Sequence, residues 1–231
     1  MITADGWLAF AERKPGPSGK TNGGVSPVSG FVAHSAEGYE SHIMNVLNDP
    51  NRQASWHFTN LYDGRLWQHY PIQAQCWASG SGQPNNNWPA MEHEGIAGQP
   101  LTDAQIATTA RVIRELSQLK GWTPTRPTGP QDKNASLWEH REMVRFGSLA
   151  TACPSGRIPW DKILAALGEE PMTNNEARAH LINALLHDFN VVPVAEGEIN
   201  GKPTVTVELQ PVDGQPSFGR FTIWAEKDVI Q

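Results

Sequence analysis

The most regular pattern of hydrophobic and polar residues predicts a long amphipathic helix between Thr102 and Gly121. Thr102 with Gln105 matches a capping box, and Gly121 suits the left-handed residue that ends many helices. The apolar positions recur at the spacing of one helix face and are Ile106, Ala110, Ile113 and Leu116. We therefore expect one face of this helix to be buried.

Shorter apolar runs bounded by Gly, Pro, Asn and Asp predict strands. An Asp-Gly pair at 63–64 separates two such runs, which is a strong hairpin signal. The predicted strands are 28–34, 56–61, 65–70 and 90–95, and further helices are predicted at 39–47 and 158–167. These elements predict an α/β (mixed) fold with a central, largely antiparallel and partly mixed β-sheet flanked by helices.

The same patterns divide the chain into three parts. Residues 1–27 include a stretch rich in Gly, Pro and Ser and are predicted to be an N-terminal lead-in. Residues 28–170 form the main predicted domain. Residues 171–231 are predicted to be a small C-terminal α+β unit, with a helix at 173–185 and strands at 191–195, 204–209 and 218–225.

Composition excludes some classes of protein. The 231 residues carry a formal net charge of −6, and without a concentrated basic surface nucleic acid is not expected as a partner. No run approaches the ~20 apolar residues of a membrane span, so we expect no stable membrane insertion. The first residues lack the basic and apolar regions of an export signal. The sequence does not indicate an oligomeric state.

A histidine and a cysteine, His140 and Cys153, lie close enough along the chain to bind one metal ion, and His34 ends a predicted strand. Catalytic zinc takes three protein ligands of these types and leaves a position for water. Spacing alone leaves the choice open, because other histidines are competing donors: His42, His57, His69 and His93.

Four stretches, in this order, resemble the zinc-dependent N-acetylmuramoyl-L-alanine amidases of the amidase-2 and peptidoglycan-recognition-protein type, most closely the phage endolysins. They are FVAHSA at 31–36, SWHF at 55–58 with YDGRLWQ at 62–68, MEHEG at 91–95, and HRE at 140–142 with TACP at 151–154. The resemblance covers roughly residues 28–167 and makes 28–170 the expected catalytic domain.

The resemblance implies a site and a reaction. His34, His140 and Cys153 match the Zn²⁺ ligands, Glu92 matches the catalytic carboxylate, and Thr151 matches a residue near the developing oxyanion. The implied reaction is hydrolysis of the amide between the muramic-acid lactyl group and L-Ala of peptidoglycan. Strand alternation alone, without the resemblance, favours a solvated surface for the face that carries Glu92.

The sequence also departs from the family pattern. Trp56 stands where many members have Tyr, Trp77 precedes Ala78 where a Trp-His pair is common, and the interval from His140 to Cys153 is long. Trp56, Trp77 and Trp88 are candidates for lining a glycan groove, although core packing explains any one of them equally well.

Three biological roles fit the resemblance. We expect an endolysin that is made in the host cytoplasm and acts on the cell wall after release. One alternative is a cytoplasmic amidase that recycles anhydro-muropeptides. Another is a peptidoglycan-binding module without activity, which the presence of Cys153 disfavours. The unit at 171–231 has no named resemblance, and wall targeting, packing on the amidase and self-association remain open for it.

Overall fold

The secondary structure follows the predicted pattern over most of the main domain. The protein is described by a computed structural model, which covers residues 1–80, 82–168, 189–199, 202–211 and 220–224. Its strands are β1 Glu12–Arg13, β2 Phe31–Ser35, β3 Phe58–Asn60, β4 Leu66–Gln68, β5 Ala90–His93 and β6 Leu137–Glu139. Its α-helices are α1 Glu40–Asn48, α2 Gly82–Asn87, α3 Asp103–Lys120 and α4 Trp160–Gly168, and a 3₁₀ helix spans His140–Phe146.

The strands of this part form one mixed sheet in the order β1-β4-β3-β5-β2-β6. The mixed α/β class is confirmed, but the predicted predominance of antiparallel pairing is wrong. Only the hairpin of β3 and β4 is antiparallel, whereas β1 with β4, β3 with β5, β5 with β2 and β2 with β6 are all parallel. Parallel neighbours need long crossover connections, so their pairing leaves no local signal in the sequence.

Helices cover both faces of the sheet. Along β2, Phe31 and Ala33 belong to one buried cluster and Val32 to the other, because successive side chains of a strand point to opposite faces. The first cluster includes the apolar stripe of α3, which the sequence predicted. The second includes Ile43 and Leu47 of α1. The sheet therefore lies between α3 and α1.

Helix α3 has the predicted ends. The Thr102 hydroxyl accepts a hydrogen bond from the Gln105 backbone N–H, and the Gln105 side chain accepts from the Thr102 N–H. Gly121 ends the helix in the left-handed conformation, with φ of 70°. Both caps depend only on neighbouring residues, which is why sequence reasoning found them.

Residues 1–27 are part of the sheet domain rather than a separate lead-in. Strand β1 pairs with β4, with Glu12 opposite Trp67. The backbone N–H of Leu8 donates to the Gln68 side chain at 2.7 Å, and the Leu8 side chain is buried in the core. The chain accordingly divides into two compact units, Met1–Glu169 and Glu170–Gln231.

The second unit contains an antiparallel sheet in the order β7-β8-β9, with β7 at Phe189–Ile199, β8 at Lys202–Pro211 and β9 at Arg220–Trp224. These strands confirm the three predicted there, and the first two are longer than predicted. The predicted helix at 173–185 lies outside the described residues. Among the helices that are described, none has the length and apolarity to cross a membrane.

Shortening a core residue of the N-terminal segment should destabilise the first unit. The Leu8 side chain is 1% exposed, so Leu8→Ala leaves a cavity and should lower the free energy of unfolding by about 2–5 kcal/mol. Urea unfolding monitored by tryptophan fluorescence measures it. Leu149, 89% exposed, is the matched control, and Leu149→Ala should change stability by less than about 0.5 kcal/mol. Equal effects would contradict the packed position of Leu8.

Candidate metal centre

The site lies where three parallel strands end. Strands β5, β2 and β6 run in the same direction, with His34 opposite Glu92 and Ala33 opposite Glu139. His140 directly follows Glu139 and therefore lies beside His34. The carboxyl ends of parallel strands form one edge of a sheet, where ligands of open α/β sheets bind. Backbone register alone thus brings two histidines and a carboxylate to one edge.

Cys153 supplies the third donor from a loop. One nitrogen each of His34 and His140 and the Cys153 Sγ lie within 4.8 Å of one another. The Sγ atom is 3.9 Å from His34 Nδ1, and the two imidazole centroids are 4.6 Å apart. The structure therefore brings together the three residues that the sequence singled out as ligands.

The long interval before Cys153 folds back through backbone contacts. The 3₁₀ helix begins at His140, and the Arg141 N–H donates to the Cys153 carbonyl at 2.7 Å. Farther along, the Ser148 hydroxyl donates to the Ser79 carbonyl. The first contact holds the two ends of the loop together, so its length does not separate its two donors. The second contact ties the middle of the loop to Ser79.

Burial sets the protonation of the donors. Burial, together with the charges of His140 and His93, holds the pKa of His34 well below its usual value, and burial also lowers the pKa of His140. Both rings are therefore neutral, which is the form that binds a metal. Burial first, and then the nearby Glu92, raises the pKa of the Cys153 thiol to about 12. A bound cation is what would favour the thiolate.

The donors fit zinc. Two nitrogens and one sulfur suit its preference, and ligands of a tetrahedral ion lie about 3–4 Å apart, comparable with the Sγ–Nδ1 distance of 3.9 Å. Two buried polar atoms at the site, His34 Nε2 and Glu92 Oε2, have no hydrogen-bond partner among the described residues. Such atoms are costly unless a ligand, an ion or water satisfies them.

Glu92 faces the first histidine. Its Oε1 lies 3.8 Å from His34 Nδ1, and because His34 is neutral this contact is not an ion pair. Burial, reinforced by the charge of Glu37 and opposed by Arg157, raises the pKa of Glu92 to about 8. A carboxyl group with a pKa near neutrality can both accept and return a proton.

Thr151 contacts the cysteine ligand through the backbone. Its hydroxyl oxygen accepts a hydrogen bond from the Cys153 N–H at 3.2 Å. A hydroxyl that accepts one bond can still donate another. Its part in catalysis remains a prediction.

The tryptophans divide into two groups. Trp56 and Trp88 are buried in the core, where the Trp56 indole N–H donates to Thr59 at 2.9 Å and Trp88 stacks on Trp138 with ring centroids 5.3 Å apart. With 4% and 6% of their surface exposed, both indoles fit core packing, and a place in a glycan groove stays an untested prediction for them. Trp77 is partly buried and donates to Asn22 at 2.6 Å. For Trp77 the prediction remains.

The competing histidines do not join the three-residue cluster. His42 is exposed on α1, and the other three are buried. Their ring nitrogens bond to neighbouring groups: His57 to Ala74 and Ala90, His69 to Lys14 and Thr59, and His93 to His34 and Thr109. They are structural residues, as lone histidines usually are.

Sequence reasoning missed one residue beside the site. Arg157 is 4% exposed and donates to Ser35, His93, Glu94 and Gln99. A single arginine in a loop gives no periodic or motif signal. Its position four residues after Cys153 was the one available indication.

The chain matches the model of a known protein family. Residues 24–156 match the Amidase_2 family model, described as N-acetylmuramoyl-L-alanine amidase. The matched span contains His34, Glu92, His140 and Cys153. No curated protein sequence matches the chain.

Several solved structures share the fold. A selenomethionine derivative of AmpD has 22% identity and a TM-score of 0.53, with 72% of this chain and 99% of that one covered. A mutant endolysin from Bacillus subtilis has 19% identity and a TM-score of 0.53, with 70% and 100% covered. The Staphylococcus aureus hydrolase AmiA in complex with its ligand has 15% identity and a TM-score of 0.53, with 69% and 83% covered.

The buried His57 should make stability depend on pH. Its Nδ1 accepts from the Ala90 N–H and its Nε2 donates to the Ala74 carbonyl, so the folded state requires a neutral ring. Burial lowers the pKa of His57 from 6.5 to about 4. The unfolded chain therefore binds more protons below pH 6.5, and the free energy of unfolding should fall as pH decreases toward 4, by up to about 1.4 kcal/mol per pH unit.

Urea unfolding at several pH values measures this slope. His57→Gln should flatten it between pH 6.5 and 4. His42→Gln, at an exposed position, should leave it unchanged. A slope that is the same in His57→Gln and the wild type would contradict the assignment.

Proposed function

The chain belongs to the N-acetylmuramoyl-L-alanine amidase family, and we propose that it cuts peptidoglycan with a zinc ion held by His34, His140 and Cys153 and with Glu92 as the proton carrier. The bond cut is the amide between the muramic-acid lactyl group and L-Ala. The observation that carries the proposal is the convergence of three donor atoms within 4.8 Å, with Glu92 in register beside the first ligand.

Zinc at these ligands would lower the pKa of a bound water toward ~7 and polarise the amide carbonyl. The surrounding residues keep the three ligands in the form that binds a metal. His34 and His140 are held as neutral ligands by burial, and the Ser35 backbone N–H donates to the Cys153 Sγ at 3.3 Å. That hydrogen bond favours the thiolate and orients it.

Glu92 moves the proton. Its carboxylate accepts a proton from the attacking water as the oxygen–carbon bond forms. It then gives the proton to the nitrogen of L-Ala as the carbon–nitrogen bond breaks, so that the leaving group departs as a neutral amine. The raised pKa of Glu92 allows the carboxyl group to hold the proton between the two steps.

Thr151 assists at the carbonyl. Its oxygen is oriented by the Cys153 N–H, and its O–H donates to the oxyanion that develops on the substrate. One donor of this kind supplies a hydrogen bond without a charge.

We propose an endolysin as the biological role. The sequence stretches around the β3–β4 hairpin resemble phage enzymes, and the complete ligand set supports hydrolysis over mere recognition. An endolysin acts on intact walls. Faster release of L-Ala amino termini from soluble anhydro-muropeptides than from purified sacculi would instead favour recycling.

Removal of the proton carrier should abolish turnover while the fold is kept. Glu92→Gln keeps the size of the side chain but cannot accept the proton, so kcat should fall by about 100- to 10,000-fold. Release of L-Ala amino termini from peptidoglycan measures it, and wall binding should persist.

Glu94→Gln is the matched control. Glu94 lies two residues farther along and accepts from the Glu40 and Tyr62 backbone N–H groups. This change should lower stability but retain turnover. Equal release by Glu92→Gln and the wild type would remove Glu92 from the mechanism.

Activity should require the metal. A strong chelator should abolish wall lysis, and one equivalent of Zn²⁺ per chain should restore it. Cys153→Ser weakens the ligand set and should require a higher zinc concentration for the same rate, because a hydroxyl is a poorer zinc ligand than a thiolate. Turbidity loss, metal analysis and mass spectrometry of the products check this together. Activity indifferent to the chelator would refute the zinc mechanism.

A further inference from the structure

The buried guanidinium of Arg157 joins three of the segments that build the site. It donates from Nη1 to the Ser35 hydroxyl at 2.8 Å and to the His93 carbonyl at 3.0 Å. It donates from Nη2 to the Glu94 carbonyl and from Nε to the Gln99 carbonyl, both at 2.7 Å. Arg157 itself lies on the segment that follows Cys153. One side chain therefore connects the ends of β2 and β5 to the cysteine loop.

The acceptors adjoin the functional residues in the chain. Ser35 follows the ligand His34, and His93 follows Glu92. Ser35 also donates its backbone N–H to the Cys153 Sγ. A shift of the guanidinium would therefore be transmitted to a ligand, to the proton carrier and to the hydrogen bond of the thiol.

The local structure accommodates this arginine. The Arg157 backbone N–H donates to the Pro154 carbonyl at 3.1 Å, which turns the chain back after Cys153. Ser155 donates to Glu37 at 3.3 Å, and Ser35 donates to the same carboxylate at 2.7 Å. Gly95 has a φ of 117°, and a Cβ there would collide with Nη2 of Arg157. The glycine leaves the space that the guanidinium fills.

We propose that Arg157 is a positioning residue that sets the distance between the cysteine loop and the ends of β2 and β5, and thereby the affinity for zinc and the alignment of Glu92. This rests on the proposed zinc mechanism. Arg157 touches neither substrate nor metal in this role. It acts by holding Ser35 and the backbone after Glu92.

Lysine cannot replace the guanidinium. Arg157 donates to four acceptors through a planar fork, whereas an ammonium group offers three donors from a single atom. Arg157→Lys keeps the positive charge and loses the geometry. It therefore separates positioning from a purely electrostatic role.

The test measures zinc affinity by competition with a chromogenic chelator, apart from activity. Arg157→Lys should raise the zinc Kd by about 10- to 100-fold, the usual effect of a residue that orients ligands. It should also lower kcat with little change in KM. In the Co²⁺-substituted protein the thiolate-to-cobalt absorption band should shift or weaken.

Two further variants complete the test. Ser35→Ala removes one acceptor of Arg157 and retains the arginine. It should raise the zinc Kd by less than Arg157→Lys does. If Arg157→Lys fails to fold, the zinc affinity of Ser35→Ala decides whether Arg157 positions the site. Arg114→Lys is the matched control, since Arg114 also donates to a backbone carbonyl, that of Ala166, at 2.6 Å. It should leave zinc affinity unchanged.

The outcomes are distinct. If folded Arg157→Lys and Ser35→Ala bind zinc with wild-type affinity and give the wild-type cobalt spectrum, the inference is overturned and the zinc mechanism stands. A wild-type chain that binds no zinc would overturn both. A loss of thermal stability alone, with unchanged affinity, would make Arg157 structural only.

Discussion

The parallel register of β5, β2 and β6 is the constraint on which the site depends. It places Glu92 opposite His34 and brings His140 beside them. Backbone pairing alone sets these positions, without any side-chain contact. A slip of one residue in either pairing would turn a functional side chain to the opposite face. The two buried clusters that hold the sheet between α1 and α3 resist such a slip, because it would expose apolar side chains. The packing of the core therefore also fixes the geometry of the site, because both depend on the same strand register.

Cys153 has no such support, because it comes from a loop. Its place depends on hydrogen bonds from Arg141 and Ser35 and on the turn that ends at Arg157. A donor on a loop can be brought to the metal only if both ends of the loop are fixed. Here one end is continuous with His140 and the other is held by a buried guanidinium. Within the interval the Leu149 side chain is 89% exposed, so a substitution of Leu149 should not move the ligand.

The sequence predicted what is local. The α3 caps and the Asp-Gly hairpin depend on residues within a few positions of one another, and each was found. The pairing of β2 with β5 joins residues about 60 apart, and that of β2 with β6 joins residues about 100 apart. The sequence therefore gave no sign that most of the pairs in the mixed sheet are parallel. Strand β1 is too short to give a periodic signal. For Trp56 a groove position and core packing both stayed open, because composition does not distinguish a buried indole from an exposed one.

The ligands were predictable only through the resemblance, since His57, His69 and His93 have the same chemistry. In the structure, His34 differs from these three histidines in the hydrogen-bond partners of its ring nitrogens. Each of these three rings has its nitrogens bonded to protein groups, whereas His34 Nε2 has no partner among the described residues. Burial also works against the charged forms of Glu92 and Cys153. Burying the Cys153 thiol and the Glu92 carboxyl group at one edge of the sheet disfavours their charged forms, and a cation bound there would offset that cost. The burial of Cys153 and Glu92, which lowers the stability of the fold, therefore favours metal binding at this edge.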